Sequence, residues 1–116
     1  MGDNEIEIFR GDNKTYEVTV VDADGDAFNL TGALIIFSVK SSNNDATYKI
    51  QLSTDDAAEI EITDAAGGIF KIYIVPGDTN DYTPVKWIYD VEVQISGKTY
   101  TIITDNFVIK ADVTRP

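Results

Sequence analysis

The alternation of apolar and polar side chains is most regular between residues 87 and 95. One set of alternate positions is apolar or aromatic: Trp87, Tyr89, Val91, Val93 and Ile95. The other set is mostly polar: Ile88, Asp90, Glu92 and Gln94. Because successive side chains of a strand point to opposite faces, this pattern predicts a strand with one face in a core and one in water. The segment contains the only tryptophan, so we expect the other strands to pack around it.

The same alternation predicts further short strands along the chain. They cover residues 5–9, 14–21, 47–52, 59–63, 69–75, 99–104 and 107–113. Residues 33–39 are apolar at nearly every position, and they are too short and too β-branched to favour a helix. We therefore expect a central strand there, covered on both faces. Residues 28–30 would return from a turn at Asp24 and Gly25, a pair that favours tight hairpins.

These short strands follow one another at intervals of about ten residues, with turn signals between them. Only brief helical turns are expected; one would follow Pro76, capped by Asp78 or Thr79. The length of 116 residues is typical of one domain. The pattern therefore predicts a single domain, residues 1–116, folded as an all-β sandwich of about eight or nine short strands.

The chain is strongly acidic, with 20 Asp and Glu against 9 Lys and Arg and a formal net charge of −11. Such a surface is repelled by phosphate backbones and anionic lipid, so we expect neither a nucleic-acid partner nor a membrane. Residues 1–5 are acidic and no long apolar run follows them, unlike a secretory signal. We therefore expect a protein made in a cytoplasm and not secreted by a signal peptide.

Catalytic chemistry lacks its usual residues, because the chain contains no histidine and no cysteine. That removes the commonest general base, thiol chemistry and cysteine-based zinc sites. Several carboxylates lie close in sequence, at Asp55, Asp56, Glu59, Glu61 and Asp64. They fall on turns and outward strand positions, where nothing promises the burial that raises a pKa. We expect no catalytic residues.

Asp22, Asp24 and Asp26 form a candidate calcium site, since alternating carboxylates in a loop can supply the oxygen ligands that calcium takes. The EF-hand pattern, however, requires Gly and Glu where this chain has Ala27 and Ala33. The alternative interpretation is a hairpin turn rich in turn-forming aspartate. No other cofactor is expected.

Two further motifs have a functional and a structural interpretation. Arg10, Gly11 and Asp12 spell the integrin-recognition tripeptide, but a turn with solvent-facing charges explains them equally well. The aromatic residues could form a sugar-stacking platform: Tyr73, Tyr82, Trp87, Tyr89 and Tyr100. Of these, Trp87, Tyr89 and Tyr100 share the core-facing period. Tyr82 lies in a predicted loop and is the candidate for ligand contact.

The order of the motifs resembles a known family. The tripeptide at residues 10–12 is followed by a Tyr/Val strand, by Asp24-Gly25 and by NLTGA at residues 29–33. PGDT at 76–79, YDVEV at 89–93, a turn at Gly97 and DVTR at 112–115 come later. This order resembles the small immunoglobulin-like β-sandwich domains of tailed-bacteriophage virions, of the kind at the N-terminus of baseplate upper proteins. The resemblance implies an immunoglobulin-like antiparallel sandwich without catalytic residues.

The resemblance also implies a function: a non-catalytic structural or interaction module of a phage particle, in its baseplate, tail or head. The expected location is the virion, and the expected partners are other phage structural proteins. Apolar residues on nominally outward positions suggest docking or a homo-oligomer. The predicted interface positions are Val21, Ile35, Tyr82 and Ile88. The alternative is a carbohydrate- or calcium-binding β-sandwich module.

Overall fold

A computed structural model of the protein describes residues 4–42 and 47–111. These residues form β1 (Ile6–Phe9), β2 (Lys14–Thr19), β3 (Leu34–Lys40), β4 (Ile50–Ser53), β5 (Ile60–Asp64), β6 (Ile69–Ile74), α1 (Pro76–Thr79), β7 (Val85–Ile95) and β8 (Lys98–Lys110). None of the helical structure within these ranges is long and apolar enough to cross a membrane. The prediction of an all-β chain is confirmed.

The strands form two sheets that pack as an immunoglobulin-like sandwich, as predicted. The large sheet has five strands in the order β1-β8-β7-β3-β4, and the small sheet has three in the order β2-β6-β5. Apolar side chains from both sheets form one buried core. The prediction of an antiparallel sandwich is wrong at one place, because β1 and β8 are parallel, from Ile6 opposite Phe107 to Phe9 opposite Lys110.

Strand β7 is central, as its alternation predicted. It pairs with β3 on one side and with β8 on the other. Its inward side chains Trp87, Tyr89, Val91 and Val93 are buried, and Ile95 is half-buried. The turn to β8 consists of Ser96 and Gly97, with φ of 54° and 77°. Positive φ at both turn residues matches the twist of the paired strands.

Strand β8 runs continuously from Lys98 to Lys110, where the sequence predicted two strands. A bulge interrupts its pairing with β7: Val91 lies opposite Ile103 and Glu92 opposite Thr101, so Ile102 is the extra residue. Residues 112 and 113 of the predicted closing strand lie outside the described residues, as do residues 112–115 of the DVTR motif.

Tyr100 does not lie in the core, although it shares the core-facing period. Its side chain is 41% exposed. It lies near the hairpin end of the large sheet, where its ring contacts the loop residue Phe28 edge-on, with ring centroids 5.8 Å apart. The prediction failed because alternation gives the face of a residue but not how far the opposing sheet extends over it.

The connection between β2 and β3 is a loop with a single bridge, between Val21 and Ala27. The predicted return strand at residues 28–30 is therefore absent from this described loop. Leu30 is nevertheless fully buried. Its N–H donates to the carbonyl of Ala65 at 2.8 Å, which ties the loop to the small sheet.

The short helix predicted after Pro76 is present as α1, but its N-cap is Val75 rather than Asp78 or Thr79. The Asp78 carboxylate accepts a hydrogen bond from the Val75 N–H at 2.9 Å. Thr79 is fully buried and its hydroxyl oxygen accepts the Gly11 N–H at 2.9 Å. The helix thereby holds the turn that follows β1.

Candidate functional site

A groove of about 310 Å³ lies on the outer face of the large sheet, the face that points away from the small sheet. We term it the outer groove. Alternate residues of β3 and β7 form its floor, because alternate side chains of a strand share one face. Its lining residues are Ile36, Ser38, Lys40, Tyr48, Gln51, Ile88, Tyr89, Asp90, Glu92, Gln94 and Thr104.

A polar row crosses the floor of the outer groove from β4 to β8. Gln51 lies opposite Ser38, Ser38 opposite Asp90, and Asp90 opposite Thr104. The Gln51 side-chain amide donates to the Ser38 hydroxyl at 3.3 Å. Side chains directly opposite each other on one sheet face are near neighbours, so these four groups form a continuous polar strip.

Asp90 is the electrostatic centre of this strip. Burial raises the pKa of its carboxyl, the nearby Glu92 raises that pKa further, and Lys40 acts in the opposite direction. The Lys40 ammonium also lies 4.8 Å from the ring centroid of Tyr48, which is 50% exposed. The ionised Asp90 is therefore under-compensated, and a hydrogen-bond donor or a cation entering the groove would stabilise it.

Apolar side chains flank the strip on both sides. Ile36 lies opposite Glu92, and Ile88 lies opposite Lys40. Both isoleucines are half-buried and point away from the core. The outer face of β3 is thus only partly covered, which corrects the prediction that this strand is enclosed on both faces. The groove can accept a ligand or partner that offers apolar surface beside hydrogen-bonding groups.

The four predicted interface residues lie in different environments. Val21 is 55% exposed, and Ile88 lines the outer groove. Ile35 is fully buried, so its prediction as an interface residue is wrong. It lies opposite Val93, whose side chain belongs to the core, and residues opposite each other share a face. Its neighbour Ile36 has the outward position instead.

Tyr82, the fourth of these residues, is half-buried and is engaged within the protein. Its ring packs edge-on against Trp87, with ring centroids 4.9 Å apart. Its hydroxyl donates to the Lys49 carbonyl at 2.8 Å. Both contacts hold the loop after α1 against the large sheet, so the described geometry gives Tyr82 a structural role.

The predicted calcium residues do come together. All three aspartates are exposed, and one carboxylate oxygen from each lies within 4.8 Å of the others. One oxygen of Asp22 accepts the N–H groups of Asp24 at 2.9 Å and Asp26 at 3.0 Å. Such bonds from an aspartate to the following backbone are typical of turns. The geometry is therefore that of the predicted Asp-rich turn, with the carboxylates grouped at its surface.

Two of the other candidate carboxylates accept hydrogen bonds from separate parts of the fold. Glu59 accepts the Ser53 N–H at 3.1 Å, and Glu61 accepts the Tyr73 hydroxyl at 2.6 Å. That hydrogen bond raises the pKa of Tyr73. Within residues 4–42 and 47–111, the aspartate trio is the only group of three or more acidic side chains close enough to share a cation.

The Arg10-Gly11-Asp12 segment is a turn fixed against the rest of the fold. The Arg10 guanidinium approaches the Tyr82 carbonyl at 3.5 Å, and the Asp12 N–H donates to the Phe9 carbonyl at 3.0 Å. Together with the contact between Gly11 and Thr79, these bonds support the structural interpretation of the tripeptide.

Alternation along β7 places Asp90, Glu92 and Gln94 on a water-facing side, and it carries no sign that this side forms a groove. A usable signal was present in the predicted central strand, where Ser38 and Lys40 interrupt an otherwise apolar run with period two. That interruption marks a polar face on β3, which pairing with β7 places beside Asp90.

No protein-family model matches this chain, and no curated protein is significantly similar to it.

Proposed function

We propose that the protein is a non-catalytic structural module of a tailed-phage particle that docks to other virion proteins through the outer groove. The phage part of this proposal rests on the order of motifs described above, and the sandwich fold is consistent with it. The docking part rests on one observation: Ile36 and Ile88 flank a polar strip on a sheet face that carries no second layer within the described residues.

The groove favours a partner that combines apolar and donor groups. Completing the burial of a half-buried isoleucine contributes about 1 kcal/mol, so two of them supply part of a specific interface. The polar strip adds specificity, because a donor or a cation that reaches Asp90 stabilises its carboxylate, whereas an apolar or acidic group that covers Asp90 destabilises it. The expected partner surface is therefore apolar with a basic or hydrogen-bond-donating centre.

The test is incorporation into particles. Phage particles purified from cells that carry the gene are expected to contain the protein, and immunogold labelling should place it at one defined part of the virion. Ile88→Asp should reduce incorporation at least about tenfold, the effect of losing 1.4 kcal/mol of binding free energy. Purified particles that lack the wild-type protein would contradict the phage proposal.

Thr15→Asp is the matched control, because it places the same charged side chain on an exposed strand position of the small sheet. Both variants should show the circular dichroism of the wild type. Equal incorporation of the two variants would show that the outer groove is not the docking surface.

A ligand-binding module is the second candidate, and two observations favour it. The half-exposed Tyr48 ring beside the polar strip is the combination that sugars bind, by stacking and hydrogen bonding. The trio of Asp22, Asp24 and Asp26 groups carboxylates at one surface. A glycan array and a calcium titration of Tm discriminate these candidates from docking. A glycan signal lost in Tyr48→Ala, or a calcium-dependent Tm rise lost in Asp24→Ala, would replace the docking proposal.

A further inference from the structure

The outer groove carries more negative than positive charge. Its lining includes two carboxylates, those of Asp90 and Glu92, and one ammonium, that of Lys40. The two acids are two residues apart on β7, so they share the outer face with their Cα atoms about 7 Å apart. The net charge of −11 attracts cations over a longer range. Charge complementarity therefore favours a basic group as the occupant of this groove.

Lys40 does not supply that basic group. It lies opposite Ile88, and its ammonium is 4.8 Å from the ring centroid of Tyr48. Within the described parts of the chain, neither carboxylate of the groove forms a salt bridge. Burial and Glu92 raise the pKa of Asp90 although Lys40 opposes them. The Asp90 carboxylate is therefore a partly buried anion that a cation from outside the chain would stabilise.

Hydroxyl groups lie on both sides of Asp90. Ser38 is opposite it on β3, and Thr104 is opposite it on β8. Ser38 is 9% exposed, and its oxygen accepts the side-chain amide of Gln51. A hydroxyl oxygen has two lone pairs, so that of Ser38 can accept a second donor. The carboxylate and its two neighbours thus offer acceptors to several N–H groups at once.

An arginine side chain fits this arrangement better than a lysine side chain. The guanidinium carries five N–H donors in a planar fork and binds a carboxylate through two parallel hydrogen bonds. The lysine ammonium is a compact, strongly hydrated charge with three donors. Arginine also has an apolar stem that packs on apolar surface. Ile88 provides such surface, because it is half-buried and lies two residues from Asp90 on the same face of β7.

We propose that the outer groove recognises an arginine side chain of the partner protein, with its guanidinium on the Asp90 carboxylate. Ser38 and Thr104 would accept its remaining N–H groups, and Ile88 would contact its stem. This inference rests on the docking surface of the proposed function and adds the chemical group that enters it.

Nuclear magnetic resonance titration of the purified full chain with the blocked tripeptide acetyl-Ile-Arg-Ile-amide tests the inference. Amide resonances of β3 and β7 beside the groove should shift, with a dissociation constant in the millimolar range for one anchored side chain. Citrulline in place of arginine keeps the shape and removes the charge, so that peptide should bind at least about tenfold more weakly. The lysine peptide should bind at least about threefold more weakly than the arginine peptide.

Asp90→Asn keeps the size of the side chain and removes its charge, so it should weaken binding of the arginine peptide at least about tenfold. Glu92→Gln is a second variant and should weaken binding by a smaller factor, about twofold to threefold. Asp12→Asn is the matched control, because it removes one charge from an exposed turn. It should bind like the wild type. The spectra of the unliganded variants show whether each is folded.

An arginine peptide that shifts no resonance beside the groove would overturn the inference, as would equal binding of the arginine and citrulline peptides. Equal binding of the lysine peptide would also overturn it, because the groove would then be a general cation site. Equal binding by Asp90→Asn and Asp12→Asn would show that the arginine contacts another group, which overturns it as well.

Particle incorporation separates failure of this inference from failure of the proposed function. Incorporation that is lost in Ile88→Asp and kept in Asp90→Asn would retain docking through the groove and overturn the arginine contact. Peptide binding requires no particle. Absence of the wild-type protein from particles, together with the expected titration, would therefore count against the proposed function alone.

Discussion

Gly68 shows at the residue scale how closely separate segments of this fold approach each other. It has a φ of +72°, and its carbonyl accepts the Val20 N–H at 2.8 Å. A Cβ atom at this position would lie 2.5 Å from the Val20 carbonyl oxygen and 2.9 Å from that of Phe28. The residue therefore joins the turn before β6 to the end of β2 and to the following loop.

Gly68→Ala should destabilise the fold strongly. Alanine at positive φ costs about 1–2 kcal/mol, and the backbone contacts add about 1–3 kcal/mol of overpacking. Gly32→Ala is the control, because Gly32 has a φ of +78° but nothing within 4 Å of its Cβ position. Urea unfolding should show a larger loss for Gly68→Ala than for Gly32→Ala. Equal losses of unfolding free energy would mean that the backbone at Val20 and Phe28 moves away from the added methyl group at no cost in stability.

Some residue positions could not be predicted because the local pattern carries no information about them. Ile35 and Ile36 are both apolar, so alternation does not decide which one faces the core. Pairing of Ile35 with Val93 decides it, and that pairing joins residues far apart in sequence. The contacts of Tyr82 with Trp87 and Lys49 were not predictable either, because they depend on how the loop after α1 folds back.

At the scale of the element, β7 supplies both the centre of the core and the floor of the outer groove. Its strict alternation separates these two roles onto two faces, which is why its inner face was predicted correctly. The outer face contains Asp90, a carboxyl whose pKa is raised chiefly by burial. An ionised group in that position lowers the stability of the fold.

Asp90→Asn should therefore raise the free energy of unfolding at pH 7. The ordinary pKa of aspartate is about 3.9, and the folded value is higher, so the folded state binds the proton more tightly than the unfolded state. Wild-type stability falls as pH rises from the ordinary value through the raised one, and the loss persists above it. The gain from Asp90→Asn should accordingly vanish below about pH 4.

Asp12→Asn controls for the change in net charge, because Asp12 is exposed and lies in a turn. Urea unfolding of both variants and the wild type, from about pH 4 to about pH 7, provides the comparison. A gain at pH 7 that is equal in the two variants would attribute the effect to net charge rather than to the burial of Asp90.

Most strands were predicted because one face is more buried than the other. The sequence of such a strand alternates between apolar and polar residues with a period of two. Strands β2, β5, β6 and β7 are of this kind, with deviations at their ends. Pairing between strands is a different matter. Neither the parallel alignment of β1 with β8 nor the bulge at Ile102 has a signal within its own segment. Both depend on contacts across the sheet.

At the scale of the whole molecule, net charge is the dominant long-range feature. The 20 acidic residues exceed the 9 basic ones, so the folded chain holds many like charges close together. Self-repulsion of this kind favours the expanded, unfolded chain. Salt shortens the range of that repulsion, to about 10 Å at 0.1 M and about 3 Å at 1 M.

Sodium chloride should accordingly raise Tm between 0.01 M and 0.5 M, a range over which the screening length falls from about 30 Å to a few ångströms. Circular dichroism at low protein concentration measures this for the monomer. The same series at about pH 5 should give a smaller rise, since lowering the pH toward about 4, the ordinary pKa of Asp and Glu side chains, reduces negative charge. A Tm that does not change with salt at about pH 7 would show that nearby basic groups offset the acidic side chains, so that self-repulsion does not lower the stability of the fold.

The parallel pairing of the first and last strands has a mechanical consequence. A pull on both ends of the chain drags β1 and β8 in opposite directions along their length, because each end leaves its strand at an opposite tip. The hydrogen bonds between Ile6–Phe9 and their partners on β8 are then loaded in shear, so that all of them resist the force together. In a peeling geometry they would break one after another. The parallel pair therefore resists a force that pulls the two ends of the chain apart.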